Sequence, residues 1–378
     1  MMARPVYVTG IGMTPFRKKY DMNLSEIAQE AVVAALRDAG FDRNRVEAVY
    51  SGSAWGGSLL GQRILRDLGM TGVPLVNIEN ACSSGSSALH LGWTAVAQGM
   101  YDAVLVIGSE KLSRFGSGAI PLEDDDHEVR LGQIMPAVYA MRAQRYFYEY
   151  GGTPADLAQV AVKNRRHAGF NENALFRDPI TVEEVLASRP VADPLTLLMC
   201  CPKADGAAAL LITSERYRNS RSVEVRASRI TSGVFEDGIV DTTVDEITVR
   251  CAKETYESAG IGPEDVDVAE VHDAFASAEV FYYEALGFCK QGEGLDLVRS
   301  GATAIGGRLP VNPSGGLLSK GHPLGATGVA QIVEIVEQLR GEAGARQVEG
   351  AKVGLTHCTG GGIAGMDHGA CTMHVLVR

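Results

Sequence analysis

A chain of 378 residues is longer than one hydrophobic core usually supports, so two units of similar size, or one core with a large insertion, are expected. Its 46% hydrophobic and 21% charged content is that of an ordinary globular protein, and a net charge of −11 excludes a general nucleic-acid or anionic-membrane surface, which needs a basic footprint. Seven cysteines, an odd number without a C-x-x-C pair, argue against a disulfide framework or zinc site and fit a reducing, cytoplasmic setting.

The opening stretch MMARPVYVTGIGMTPF holds no signal-peptide core, and nowhere do about 18 apolar residues run together, so no membrane segment is expected. Residues 6–10 read as a first strand, residues 25–38 as a helix stopped by Gly40, and residues 46–50 as a second strand. Val73, Leu75, Val76 and Ile78 then lead like a buried strand into a small-residue turn around Cys82, and residues 88–97 continue with helical content. This places Cys82 at a helix N-terminus, where free N–H groups and the helix dipole favour thiolate over thiol. A lowered pKa there would arm a nucleophile; the other common fate of a free cysteine is a small buried hydrophobe. Residues 102–108 form a further buried strand, and strands alternating with helices imply βαβ units in a largely parallel sheet.

Beyond residue 220 the pattern returns. Asp38-Ala39-Gly40-Phe41, with Val46 downstream, is echoed by Ser258-Ala259-Gly260-Ile261 with Val266 downstream, an offset of 220. The strands at 6–10 and 102–108 are echoed at 223–227 and 352–356. The kept order predicts an internal duplication with a longer second copy. The counterpart of the Cys82 turn is then the glycine-rich stretch running from Asn312 to Gly328, and two equivalent turns would face one another at a pseudo-twofold axis.

Residues 113–200 do not fit the repeat. They carry an acidic run from Glu123 to Asp126, an aromatic cluster of Tyr146, Phe147, Tyr148 and Tyr150, and a basic stretch from Lys163 to His167. An insertion of this length forms a lid or binding surface. Taken singly, the charge runs read as solvated helix faces and the aromatic cluster as core, while the basic stretch is also a candidate for phosphate contact. Residues 205–212 look like a strand returning to the core. The expected organisation is a first half over 1–112, completed by about 201–220, an insertion over 113–200 and a second half over 221–378.

Four segments, all expected at strand ends, carry what an acyl-transfer site needs: Cys82; His272-Asp273-Ala274-Phe275; Gly321-His322-Pro323; and His357-Cys358-Thr359-Gly360-Gly361-Gly362. A cysteine nucleophile needs a base or cation beside it, usually histidine. Forming a carbanion next to a thioester needs a second acid/base, and the developing oxyanions need fixed N–H donors. Each segment alone is weak evidence; together in a duplicated α/β chain they are strong.

With these residues in place the sequence resembles the thiolase superfamily over nearly its whole length. The motifs are Asn80-Ala81-Cys82-Ser83-Ser84-Gly85, Asp205-Gly206-Ala207-Ala208-Ala209, Gly321-His322-Pro323-Leu324-Gly325-Ala326-Thr327-Gly328 and Cys358-Thr359-Gly360-Gly361-Gly362. Leu198-Met199-Cys200-Cys201-Pro202 and His272-Asp273 make it most similar to the sterol-carrier-protein-type and archaeal-type thiolases, although no sterol-carrier domain is expected after residue 378. The resemblance implies an α/β thiolase fold: duplicated βαβαβαββ halves in five layers, αβαβα, with an inserted lid. It implies that Cys82 takes the acyl group, His322 activates it, and Cys358 moves the α-proton of the second substrate. His272 and His322 would serve one thioester oxygen, and the backbone N–H groups of Cys82 and Gly360 the other. Coenzyme A is then a substrate, with no metal and no tightly bound cofactor. The implied assembly is a homodimer, with a small OB-fold, zinc-binding partner subunit as an option in this branch. One departure is Ala274, where sterol-carrier-type thiolases usually carry cysteine, so the acid/base duty is expected to fall to Cys358.

Rival readings are weaker. Gly360 to Gly365 matches G-x-G-x-x-G after a strand, but the 13 residues that follow leave no room for a dinucleotide-binding unit, and no G-x-x-x-x-G-K-[ST] occurs. A ketoacyl synthase would use Cys-His-His or Cys-His-Asn, against which Cys358 argues. A thiolase-fold lyase cleaving a β-hydroxyacyl-CoA needs no nucleophilic cysteine, and a non-catalytic CoA-ester-binding subunit would need none of these residues.

Overall fold

The computed structural model describes residues 4–116, 118–120, 122, 126–235, 240–363 and 368–378. Most of the acidic run, residues 123–125, and residues 364 and 365 of the glycine run lie outside the described residues.

The strands are β1 (Val6–Met13), β2 (Ala48–Gly52), β3 (Leu75–Ile78), β4 (Ala103–Lys111), a small hairpin of β5 (Pro190–Ala192) and β6 (Leu195–Thr196), then β7 (Asp205–Ser214), β8 (Val223–Thr231), β9 (Val268–Glu270), β10 (Val353–Gly360) and β11 (Ala370–Val377). All but the hairpin join in the order β3-β2-β4-β7-β1-β8-β11-β10-β9. The middle of that row is a seam, where β1 meets β8 only at Tyr7↔Glu224 and Val8↔Val223. On each side of it the order repeats. Val311 bridges Ala269 in parallel, so Val311, β9, β10, β11 and β8 stand as β3, β2, β4, β7 and β1 do.

Two helices, Ser84–Ala97 and Leu324–Arg340, lie between the half-sheets and touch strands of both. The helix Leu24–Ala39 covers β1, β4 and β7 from outside, and Glu246–Ala259 covers β8 and β11, completing the αβαβα layering. Leu24–Ala39 starts on an Asn23 capping box and stops at left-handed Gly40, as its sequence signals. Among the described residues no helix is long and apolar enough to cross a membrane.

Three expectations are corrected here. The sheet is mixed: in the main sheet only β2–β3, β2–β4 and β9–β10 pair in parallel. The last strand of each half, β7 or β11, inserts antiparallel between its half's first strand and the strand beside β2 or β9. The nine residues between β10 and β11 are also too few for a parallel crossover. Second, β3 is not a buried strand. It is the outer edge of the sheet, and Val76 is 48% exposed. Third, of the four segments placed at strand ends, Gly321-His322-Pro323 instead follows the helix Gly316–Lys320, whereas the segment with Cys358 does run over the end of β10.

The central helices approach so closely that only glycine fits between them. A Cβ on Gly85 would lie 2.2 Å from the Gly325 carbonyl oxygen, and one on Gly328 would lie 2.6 Å from the Ser86 Cβ. The two equivalent turns therefore face one another as the repeat predicted. Glu110, buried at the end of β4, ties them to the sheet by accepting N–H bonds from Ala54 (2.8 Å), Trp55 (3.2 Å) and Gly325 (3.3 Å).

The insertion contributes the helices Met135–Tyr150 and Pro154–Ala168, whose apolar faces share one core with Glu246–Ala259 and Ala276–Ala285. The aromatic cluster splits. Tyr146 is core, with its hydroxyl on Glu284, whereas Tyr148 is 80% exposed. The basic stretch is not a solvated face; most of it turns inward. Lys163 bonds Glu279 at 2.8 Å and the Val311 carbonyl at 2.9 Å; Asn164 donates to Asp273 and Glu279, both at 2.7 Å. Arg165 reaches Ser319, and His167 reaches the Asn312 carbonyl at 3.0 Å, leaving only Arg166 exposed. Periodicity could not show this, because the partners come from residues 270–320. Lys163→Met is therefore expected to leave Glu279 buried and uncompensated, costing about 3–5 kcal/mol, with KM for coenzyme A unchanged. Denaturant titration and initial rates check both; a phosphate contact would raise KM and spare stability.

Candidate active site

The turn that carries the nucleophile candidate is built by its own small residues. The Asn80 N–H bonds the Ser84 hydroxyl at 2.9 Å, the Asn80 side chain bonds Ser87 at 3.0 Å, and Ala81 is held at φ +47°. Such left-handed backbone at a non-glycine residue is a strained geometry that surrounding bonds must enforce. Cys82 follows in a single 3-10 turn, ahead of the helix Ser84–Ala97.

The expected lowering of the Cys82 pKa is not found. Burial pushes the thiol up to about 12; the Gly361 N–H, which reaches the sulfur, and Cys82's own amide pull against it, while the Glu110 carboxyl adds to the rise. Desolvation outweighs the helix end here. Cys82 at rest is a thiol.

His322 follows the helix Gly316–Lys320. Its backbone N–H bonds the Pro202 carbonyl at 3.1 Å, and its Nδ1 lies 2.7 Å from the Thr327 hydroxyl. Thr327 gives its one proton to the Pro323 carbonyl at 3.1 Å, so it accepts from His322 Nδ1–H. That fixes the tautomer and leaves Nε2 bare, buried and without a partner among the described residues. Burial lowers the His322 pKa to about 3, so the ring is neutral.

His272 lies just beyond β9. Its Nδ1 is 3.2 Å from Cys358 Sγ, and burial, then the neighbouring His322, hold its pKa well below the usual imidazole range. Cys358 points inward from β10 and donates to the Cys82 carbonyl at 3.3 Å; burial, then Cys82, hold its thiol well above the ordinary range. The Cys82 sulfur and one nitrogen each from His272 and His322 all lie within 4.8 Å of one another. The two rings meet edge-on, 5.0 Å between centroids at 86°. Among the described residues this is the one group of three so placed that it could ligate a metal ion.

Gly360 packs on the nucleophile turn so tightly that a Cβ there would be 2.2 Å from the Asn80 carbonyl oxygen. His357, one residue before Cys358, turns to the opposite face of β10 and bonds Thr248 at 2.9 Å, outside the site.

The sequence reading missed the segment that holds the histidines together. Cys200 bridges Phe275, the Cys201 N–H bonds the Ala274 carbonyl at 2.9 Å, and Lys203 bridges His322, so residues 200–203 strap both histidine segments side by side. Below them Lys320 and Glu270, each two residues before its histidine, form a buried ion pair at 3.3 Å. The Cys200-Cys201-Pro202 signal was visible but served only as a family mark.

Two family models match: "Thiolase, N-terminal domain" over residues 6–216 and "Thiolase C-terminal domain-like" over 239–370. The chain is 43% identical over 382 residues to a protein of Thauera aromatica named benzoylsuccinyl-CoA thiolase subunit BbsB, covering 98% of this chain and 99% of that one. It is 40% identical over 387 residues to an acetyl-CoA acetyltransferase of Methanothermobacter thermautotrophicus, covering 99% and 100%. A solved structure described as an Ltp2-ChsH2(DUF35) aldolase superposes with a TM-score of 0.87 at 27% identity, covering 100% of this chain and 99% of that one. With models across both halves and full-length relatives at this identity, the chain belongs to the thiolase family of acyl-CoA acyltransferases.

Proposed function

We propose that the protein acts through an acyl thioester on Cys82, catalysing thiolysis of a 3-oxoacyl-CoA by coenzyme A or the reverse Claisen condensation. The observation that carries this reading is the convergence of the Cys82 sulfur with His272 and His322 inside 4.8 Å, with Cys358 Sγ 3.2 Å from His272.

The resting pair is neutral, so the Cys82 proton moves to the bare Nε2 of His322 as sulfur bonds the acyl carbonyl. The oxyanion that forms takes the N–H groups of Cys82 and Gly360. In thiolysis the C–C bond then breaks, Cys358 gives its thiol proton to the departing enolate carbon, and the coenzyme A thiol, passing its proton to the Cys358 thiolate, attacks the acyl-Cys82 carbonyl and releases Cys82, which recovers its proton from His322. In condensation, acylation of Cys82 releases coenzyme A as a thiolate that takes up the Cys358 proton; Cys358, now a thiolate, removes the α-proton of a second acyl-CoA, and the enolate oxygen is held by His272 and His322. The carbanion attacks the acyl-Cys82 carbonyl, Cys82 leaves, and His322 returns its proton. Coenzyme A enters as a substrate, and no step asks for a metal or a bound cofactor.

The name of the Thauera relative supports an aromatic 3-oxoacyl-CoA as the first substrate to try. The word "subunit" in that name, and the DUF35 component in the aldolase's description, support a partner subunit, for which a small OB-fold, zinc-binding protein is the candidate. The exposed edge of β3 supports a second copy of this chain, and reduced cysteines a cytoplasmic location. Purification of tagged protein from its native host that yields a homo-oligomer alone would count against the partner.

The test is intact mass after incubation with short, branched and aromatic acyl-CoAs, for wild type and Cys82→Ala, followed by free coenzyme A. An adduct that needs Cys82 and is discharged by coenzyme A is the expected result. The second reading, retro-aldol cleavage of a β-hydroxyacyl-CoA, is favoured by the aldolase neighbour. No adduct from any donor, with cleavage of such a substrate by Cys82→Ala, would establish it instead.

A further inference from the structure

The reaction proposed above asks Cys82, His272 and His322 to handle one proton and one acyl group, yet the same three side chains have the composition and spacing of a metal site. The Cys82 sulfur and one ring nitrogen each of His272 and His322 lie within 4.8 Å of one another. They come from three distant segments, so the spacing of cysteines along the sequence does not reveal them. A tetrahedral ion with bonds of about 2.0–2.3 Å holds its ligands about 3.3–3.8 Å apart, so the trio has to close by no more than about 1.5 Å.

His322 is already set for such a bond. Its Nδ1 proton goes to the Thr327 hydroxyl at 2.7 Å, Thr327 is itself tied to the Pro323 carbonyl at 3.1 Å, and the His322 backbone N–H holds the Pro202 carbonyl at 3.1 Å. This is the outer support of a metal-ligating histidine: one ring nitrogen donates to a protein oxygen, and the other is left as an oriented lone pair. Here that lone pair, on Nε2, is buried and has no hydrogen-bond partner among the described residues. A buried acceptor without a donor is costly, and a bound cation offsets the cost. His322 is 5% exposed and His272 3%, whereas Cys82 is only half-buried, which gives an ion its way in.

The ligand set also selects the ion. One thiolate and two imidazoles suit zinc, cadmium and cobalt, and no carboxylate belongs to the group, so magnesium, calcium and manganese are disfavoured. Cys358 Sγ lies beside His272, at 3.2 Å from Nδ1, but is not one of the three. Three protein ligands leave the fourth corner of a zinc tetrahedron to water.

We propose that Cys82, His272 and His322 form an inhibitory site for one zinc-class divalent cation. On binding, the Cys82 S–H bond breaks and its proton leaves to solvent, while the sulfur and the two nitrogen lone pairs form bonds to the ion; nothing is oxidised or reduced. The ion then occupies both the sulfur electron pair that would attack an acyl carbonyl and the Nε2 pair that would receive the Cys82 proton. Metal and acyl group therefore exclude one another. The inference goes beyond acyl transfer and does not require it, because the three ligands stand together whatever reaction the site performs.

The probe is cobalt(II), whose bond to a thiolate absorbs in the near ultraviolet. Reduced, metal-stripped protein is expected to take up one cobalt per chain with that absorption, and zinc but not magnesium should displace it. Cys82→Ala should lose the absorption. Thr327→Val, which removes only the oxygen that holds Nδ1–H, should weaken cobalt binding about tenfold, and His272→Ala and His322→Ala by more than that. Without any substitution, saturating zinc should block alkylation of Cys82 by iodoacetamide, read by peptide mass, and protein acylated on Cys82 should take up no cobalt. Absorption that survives Cys82→Ala places the ion on other thiols, such as Cys200 and Cys201, and overturns the proposal. Cobalt affinity unchanged in both histidine variants, or alkylation of Cys82 indifferent to zinc, overturns it as well. The two readings fail separately: cobalt held by Cys82 in a protein that never forms an acyl adduct removes the acyl thioester alone, whereas an acyl adduct on a protein that binds no cobalt removes this site alone.

Discussion

Cys358→Ala is expected to leave Cys82 acylation within a few-fold of wild type while cutting condensation, thiolysis and α-proton exchange by about 10³-fold, the middle of the range for a lost general acid/base. The Cys82 sulfur and a ring nitrogen of His322 lie within 4.8 Å of one another, so the transfer between them does not pass through Cys358. No other group replaces it. His272 and His322 are kept neutral by burial, the latter down to about 3, so each is a poor acceptor for a weakly acidic C–H. Intact-mass burst kinetics and deuterium exchange on the same preparation check the split. If acylation falls with exchange, Cys358 serves the nucleophile and the division of roles proposed above is wrong.

Gly85→Ala is expected to destabilise the protein by about 3 kcal/mol, at the upper end of ordinary overpacking. The new methyl would meet the carbonyl oxygen of Gly325 at 2.2 Å and Val329 at 2.9 Å. A side chain can rotate away, but a backbone oxygen of a buried helix cannot. Relief would require the helix Leu324–Arg340 to slide, and Glu110 holds its first turn to β4 through the Gly325 N–H. Denaturant unfolding measures the loss. Alanine at Gly40, where φ is +59° but no atom stands within 4 Å of the new Cβ, serves as a comparison without a clash, and should cost about 1 kcal/mol. Equal costs would show that the central helices are less tightly wedged than the geometry requires.

Much of the site was legible because its information is local. Cys82, His322 and Cys358 each sit in a short run of small or glycine-rich residues and His272 in a His-Asp pair, and the structure brings their side chains together. The duplication was legible too, since Gly40 and Gly260 end equivalent helices with the same left-handed residue. What failed had a long-range cause. The Cys82 helix end was visible, but the burial that overrides it is a property of the folded chain, not of the local run. Lys163 reads as a surface cation until Glu279, 116 residues away, is known to be its partner. An apolar edge strand and an apolar interior strand have the same composition, so Leu75 and Val76 could not announce β3 as the sheet's border.

The place of β7 also sets a timetable. It is the strand between β4 and β1, yet it is translated about 90 residues after β4, with the whole insertion made first. Until Asp205–Ser214 leaves the ribosome, β1 and β4 each expose an unpaired, largely apolar edge waiting for the same partner. Unpaired edges of that kind recruit strands from other chains. A nascent chain stalled before residue 205 would therefore be a substrate for chaperones or for aggregation, and the insertion's length is in effect a waiting period during synthesis.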